Sequence, residues 1–231
     1  MNIKAVLFDL GNTLVKTWVP EATFHGVLAS LGIDRPVEEI REALLRTEGE
    51  FRESGYRSMY GKADYVEYWE KWDSHVLRNL GISGHNYLAK EILIRWFDHA
   101  DCVIYPDVEK TLVNLKQMGL KLGLISTAYE EDIAAIFQRA SMDRSLFNVI
   151  VGANTVMKEK PHPDVFKYAL RKLGVEPEAA LFVGDHAEND YEGARAAGMH
   201  ALLIQRENQS SESVSGFRRI SSLEDVYKFI D

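Results

Sequence analysis

The amino-acid sequence predicts an α/β protein: a three-layer core in which a parallel sheet lies between helices, interrupted early by an all-helical insertion. Two observations carry this. Short runs of β-forming apolar residues alternate with amphipathic stretches of helical length, the pattern of a parallel sheet with helices on both faces. Between Lys16 and His99 that alternation stops, no convincing strand run occurs, and all four tryptophans of the chain (Trp18, Trp69, Trp72 and Trp96) fall there.

The elements follow in order. Ile3 to Phe8 is apolar without a helical stripe and stops abruptly at Asp9, Gly11 and Asn12, so it reads as a buried strand. Later strands are expected at Lys121 to Ile125, Asn148 to Val151, Ala180 to Val183 and His200 to Ile204. Val108, Leu112, Leu115 and Met118 mark one helix between them, and Ile133, Ile136 and Phe137 a second. Val165, Phe166, Ala169, Leu170 and Leu173 mark a third. Gly119, Gly174 and Gly198 stand where helix C-caps are expected. The core is thus Rossmann-like, spanning residues 1–15 and 100–231, with residues 16–99 as a separate helical domain broken near Gly32, Gly55, Gly61 and Gly81. Its aromatic residues are expected to fill a bundle core, an aromatic ligand box being the alternative. Gln205 to Gly216 is polar and serine-rich and reads as a loop before a final helix from Ser222.

Composition sets outer limits. The 231 residues, 46% hydrophobic and 27% charged, are ordinary for a globular chain, which excludes disorder and a disulfide scaffold. A formal net charge of −8 argues against nucleic acid or anionic lipid as a partner. A single cysteine, Cys102, fits a reducing compartment. Neither a signal peptide nor a membrane span is evident, so a cytoplasmic protein is expected.

Ligands of open parallel sheets bind at the carboxyl ends of the strands. There this sequence places Asp9 with Asn12 and Thr13, then Ser126 and Thr127, then Lys158 and Lys160 before a helix, then Asp185 with Asn189 and Asp190. Each alone has an ordinary explanation as a helix cap or turn residue. Together they suit phosphoryl transfer. Crowded carboxylates require a cation, hard oxygen donors select Mg²⁺, and a carboxylate is an accepted nucleophile.

Four segments carry a resemblance. Phe8-Asp9-Leu10-Gly11-Asn12-Thr13-Leu14, Leu124-Ile125-Ser126-Thr127, Lys160-Pro161-His162-Pro163-Asp164 and Val183-Gly184-Asp185 through Asp190 resemble the four ordered motifs of the haloacid dehalogenase-like hydrolases. The helical insertion resembles the C1-type cap of that family. The resemblance implies Asp9 as nucleophile and metal ligand, Ser126 on a phosphoryl oxygen, and Lys160 stabilising negative charge. It implies Mg²⁺ held by Asp9, the Gly11 carbonyl and Asp185, with Asp190 either joining them or orienting the metal's shell and Lys160, and a small phosphorylated metabolite as substrate; a monomer or homodimer is expected. Asn12, Thr127 and the cap residues Arg52 and Arg57 are candidate substrate contacts, and Lys158 reads as a surface lysine.

One position departs from the pattern. Phosphatases of the family usually carry an acid/base aspartate where Gly11 stands. Its absence implies a good leaving group, a substitute acid such as His186, or a weak or merely binding protein. The dehalogenase branch also lacks that aspartate, but its chemistry needs no Mg²⁺, and Asp185 with Asp190 argues for a cation.

Overall fold

The computed structural model describes residues 2–206 and 216–230. The serine-rich loop expected across Gln205 to Gly216 falls almost wholly outside them. Five runs form strands within a residue or two of their expected limits: β1 (Ala5–Phe8), β4 (Lys121–Ile125), β5 (Val149–Val151), β6 (Ala180–Gly184) and β7 (His200–Ile204). Two short pairings escaped the sequence reading. A two-residue β8 (Arg219–Ile220) joins the edge of the sheet, and β2 (Val15–Lys16) pairs antiparallel with β3 (Val103–Ile104).

The six-stranded sheet runs β5-β4-β1-β6-β7-β8 with every pairing parallel. The strand order reverses at β1, which makes the carboxyl end of β1 the topological switch point where such sheets open a crevice. All four residues of β1 are fully buried, as a strand covered on both faces must be.

The helices follow from their sequences. Pro163 opens α8 (Pro163–Leu173), the His162 side chain caps the Asp164 N–H, and Gly174 closes it in the left-handed region at φ 61°. Its stripe of Val165, Phe166, Ala169, Leu170 and Leu173 is buried against Leu7 and Phe182 of the sheet. Helix α5 (Val108–Gln117) buries Val108, Leu112 and Leu115, but Met118 is 53% exposed. Met118 lies at the C-cap, where the helical stripe has ended. After Ser222 the chain forms a 3₁₀ helix, Leu223–Phe229, rather than an α-helix.

By its internal contacts the chain divides into two compact units, the residues up to Lys16 with those from Val103 onward, and Thr17–Cys102. The second unit contains α1 (Pro20–Ser30), α2 (Val37–Glu53), α3 (Tyr65–Asn79) and α4 (His85–His99). Gly32, Gly55, Gly61 and Gly81 all take positive φ between these helices. Asp64 caps α3 by accepting from the Val66 and Glu67 N–H groups. The aromatic side chains pack on one another. Buried Phe51 meets Tyr56, Tyr68, Trp72 and His75 edge-on at ring separations of 5.0–6.0 Å. No helix among the described residues is long and apolar enough to cross a membrane.

Candidate active site

Asp9 stands one residue past β1, and its N–H continues the ladder by donating to the Val183 carbonyl at 2.9 Å. The backbone is therefore held while the side chain enters the crevice at the switch point. β6 ends at Gly184 and delivers Asp185. The chain then winds through a π-helical turn, Ala187–Glu192, which brings Asp190 back beneath Gly184. Asp190 Oδ2 accepts from the His186 N–H at 3.0 Å.

Lys160, just before α8, joins these elements. Its Nζ donates to Asp9 Oδ1 at 2.5 Å and to Asp190 Oδ1 at 2.6 Å, and only 2% of its side chain is exposed. One oxygen each of Asp9, Asp185 and Asp190 lies within 4.8 Å of the others. Asp9 and Asp190 are buried and Asp185 half-buried.

The three carboxylates repel one another. Burial pushes the Asp9 carboxyl up to about 7, Asp190 and Asp185 add to that, and Lys160 opposes it. Burial would discharge Lys160, yet the carboxylates of Asp190 and Asp9 hold it above the ordinary lysine value. Asp9 and Asp190 thus share one ammonium, with Asp185 in the same oxygen cluster. Further positive charge at these hard oxygen donors would relieve the repulsion, so the donor set fits a divalent cation such as Mg²⁺.

The remaining expected residues are distributed as follows. Ser126 stands one residue past β4, the neighbour of β1, is 8% exposed, and its Oγ accepts from the Ala128 N–H; Thr127 next to it is half-buried. Gly11 bridges to Val15, and Asn12 sits in the left-handed region at φ 53° with its N–H on the Val15 carbonyl. Lys158 is exposed. Arg52 and Arg57 belong to the helical unit. There Arg52 pairs with Glu48 at 2.6 Å, and Arg57 lies over the Tyr60 ring at 4.6 Å. His186 is exposed, and its Nδ1 accepts from the Asn189 N–H, which leaves Nε2 as its donor nitrogen.

Sequence reasoning missed a buried group beside this site. Arg206 and Asp107, 99 residues apart, form an ion pair at 2.7 Å beneath the loop that follows Asp9. No local motif signals it, because both residues stand where a turn or loop would be read.

Residues 3–198 match the family model described as "Hydrolase: haloacid dehalogenase-like hydrolase". The chain is 32% identical over 213 residues to a glyceraldehyde 3-phosphate phosphatase from Methanopyrus kandleri, covering 88% of this chain and 84% of that one. It is 30% identical to phosphoglycolate phosphatase 1 of Pseudomonas aeruginosa, covering 87% and 69%. Among solved structures, a 2-haloacid dehalogenase from Pseudomonas syringae superposes with a TM-score of 0.74 at 25% identity, covering 98% and 97%.

Proposed function

The chain belongs to the haloacid dehalogenase-like hydrolases, and from that premise we propose a Mg²⁺-dependent phosphatase of a small phosphorylated metabolite, with Asp9 as the nucleophile. The observation that carries the reading is Lys160 held between Asp9 and Asp190, with Asp185 in the same oxygen cluster.

In the proposed reaction an Asp9 carboxylate oxygen attacks phosphorus. The P–O bond to the substrate breaks, the leaving oxygen takes a proton, and an acyl phosphate remains on Asp9. Water then attacks this phosphoryl group and releases inorganic phosphate and the free carboxylate. Lys160 neutralises charge on Asp9 and on the incoming phosphoryl oxygens, and Ser126 donates its hydroxyl to one of them. Asn12 and Thr127 are proposed to complete the phosphate cradle, and Arg52 and Arg57 to contact the rest of the substrate. Asp9, Asp185, Asp190 and the Gly11 carbonyl would hold Mg²⁺, which when bound supplies the positive charge a dianionic substrate needs beside these carboxylates.

Gly11 offers no proton, and acid–base help of that kind is worth roughly 10² to 10⁴ in rate. A substrate with a good leaving group is the reading we favour, followed by His186 Nε2 as donor. The protein is proposed to act in the cytoplasm as a monomer or homodimer.

Asp9→Asn is the direct test. Turnover of a phosphomonoester panel should fall by at least about 10³, as expected for a lost nucleophile, with the circular dichroism spectrum retained. Full Mg²⁺-dependent activity in that variant would sink the mechanism. The glycine at position 11 and the likeness to a dehalogenase favour a second reading, carboxylate attack on a 2-haloacid carbon. Halide release without Mg²⁺ would support that reading, and phosphate release only with Mg²⁺ would exclude it.

A further inference from the structure

We propose that Arg206 is a positioning residue that fixes the backbone of the Asp9–Val15 loop, and so presents the Gly11 carbonyl to a cation; this rests on the metal-site reading above. Arg206 follows β7 and is 7% exposed. Its Nε and Nη2 both donate to the Thr13 carbonyl, at 3.2 and 2.6 Å, and its Nη1 donates to Asp107 Oδ2 at 2.7 Å. The guanidinium lies over the Tyr105 ring at 4.1 Å from its centroid.

Each contact leads back to the loop. Thr13 is fully buried, and a buried carbonyl with no donor would cost about 1–3 kcal/mol. The neighbouring Asn12 makes the loop's turn at φ 53°, in the left-handed region that asparagine tolerates. Tyr105, beneath the guanidinium, donates its N–H to the Leu14 carbonyl at 3.0 Å. Asp107 is itself anchored, since the same Oδ2 accepts from Ser222 Oγ at 2.9 Å and the Leu223 N–H at 2.7 Å. Arg206 thereby ties the segment two residues beyond Gly11 to the start of α5 and to the C-terminal 3₁₀ helix. A planar fork makes two bonds to one carbonyl while a third N–H reaches a carboxylate; an ammonium keeps the charge but not that geometry.

The test is Arg206→Lys in the full chain, read by amide hydrogen exchange without metal and by calorimetric titration with Mg²⁺. The Leu14 and Val15 amides, which donate to the Leu10 carbonyl at 2.9 and 3.0 Å, should exchange about tenfold faster, the effect of losing roughly one hydrogen bond. The amides of β6 should not change. Mg²⁺ should bind about tenfold more weakly, with kcat reduced and KM little altered. Wild-type exchange at Leu14 and Val15 together with wild-type Mg²⁺ affinity would overturn the inference. If the wild type itself binds no Mg²⁺, the metal reading fails, and loop exchange alone decides whether Arg206 positions the loop. Should Arg206→Lys fail to fold, Asp107→Asn weakens the same anchor and carries the same readouts.

Discussion

Gly184→Ala is the sharpest perturbation the structure offers, because one methyl group reaches the centre of the cluster. A Cβ at Gly184 would fall 2.4 Å from Asp190 Cγ and Oδ2 and 2.5 Å from Asp190 Cβ. Ordinary carbon contacts begin at about 3.5 Å, so Asp190 must retreat by about 1 Å. Such a shift carries its carboxylate from 2.6 Å to beyond hydrogen-bond reach of Lys160. Overpacking of this kind costs about 1–3 kcal/mol, and separating a buried pair adds to it, since removing a partner outright costs about 3–5 kcal/mol. A destabilisation of about 2–4 kcal/mol is expected, a fall of roughly 4–16 °C in the thermal midpoint for a chain of this size. The assay is thermal unfolding followed by circular dichroism, with phosphatase activity in the presence of Mg²⁺ measured alongside; activity should fall at least about 100-fold. Wild-type midpoint and wild-type activity in Gly184→Ala would refute the claim that Asp190 is fixed by its approach to this glycine.

Three further outcomes are expected. Gly49→Ala is the matched control: it lies inside α2 with nothing within 4 Å of its would-be Cβ, so unfolding should show a gain of about 1 kcal/mol. Gly11→Asp should raise kcat on substrates with poor leaving groups by about 10² or more, while His186→Ala should slow the parent only if Nε2 is the substitute donor. Asp73, 5% exposed in the helical unit, has its pKa raised well above the usual range, first by burial and then by the charge of Glu70. The unfolded chain ionises there while the folded one stays protonated, so stability falls as pH rises from the unfolded pKa, about 4, towards the folded one. Asp73→Asn should therefore raise the thermal midpoint at neutral pH and leave it nearly unchanged below pH 4; equal gains at both would contradict this account.

What the sequence disclosed depended on the range of the interaction behind it. β1 was legible because an apolar run ending at Asp9 is a local pattern, and the stripe of α8 because its period is local too. The pairing of β2 with β3 was not, since two-residue strands carry no periodicity and here lie 87 residues apart. Asp9, Lys160 and Asp185 could be named as candidates because each stands beside a strand end or helix start, and Asp190 because it closes the motif that follows Asp185. Their common position, with Lys160 between two carboxylates, is a tertiary fact. Arg206 and Asp107 show the limit most plainly, for their types are ordinary in loops and only their pairing, with Arg206 buried, gives them significance.

The place of β1 has a consequence for the order of assembly. It is the first strand synthesised, yet it sits between β4 and β6, which emerge more than 110 residues later. Helices α1 to α4 pack within Thr17–Cys102, α1 on α4 as well as each on the next, and can fold once that segment has emerged, whereas β1 must wait for both flanking strands. A nascent chain ending before Asp190 holds Asp9 beside an incomplete set of partners. The side chains gathered round Asp9 therefore come together late, once β6 lies against β1 and the π-helical turn has formed behind it.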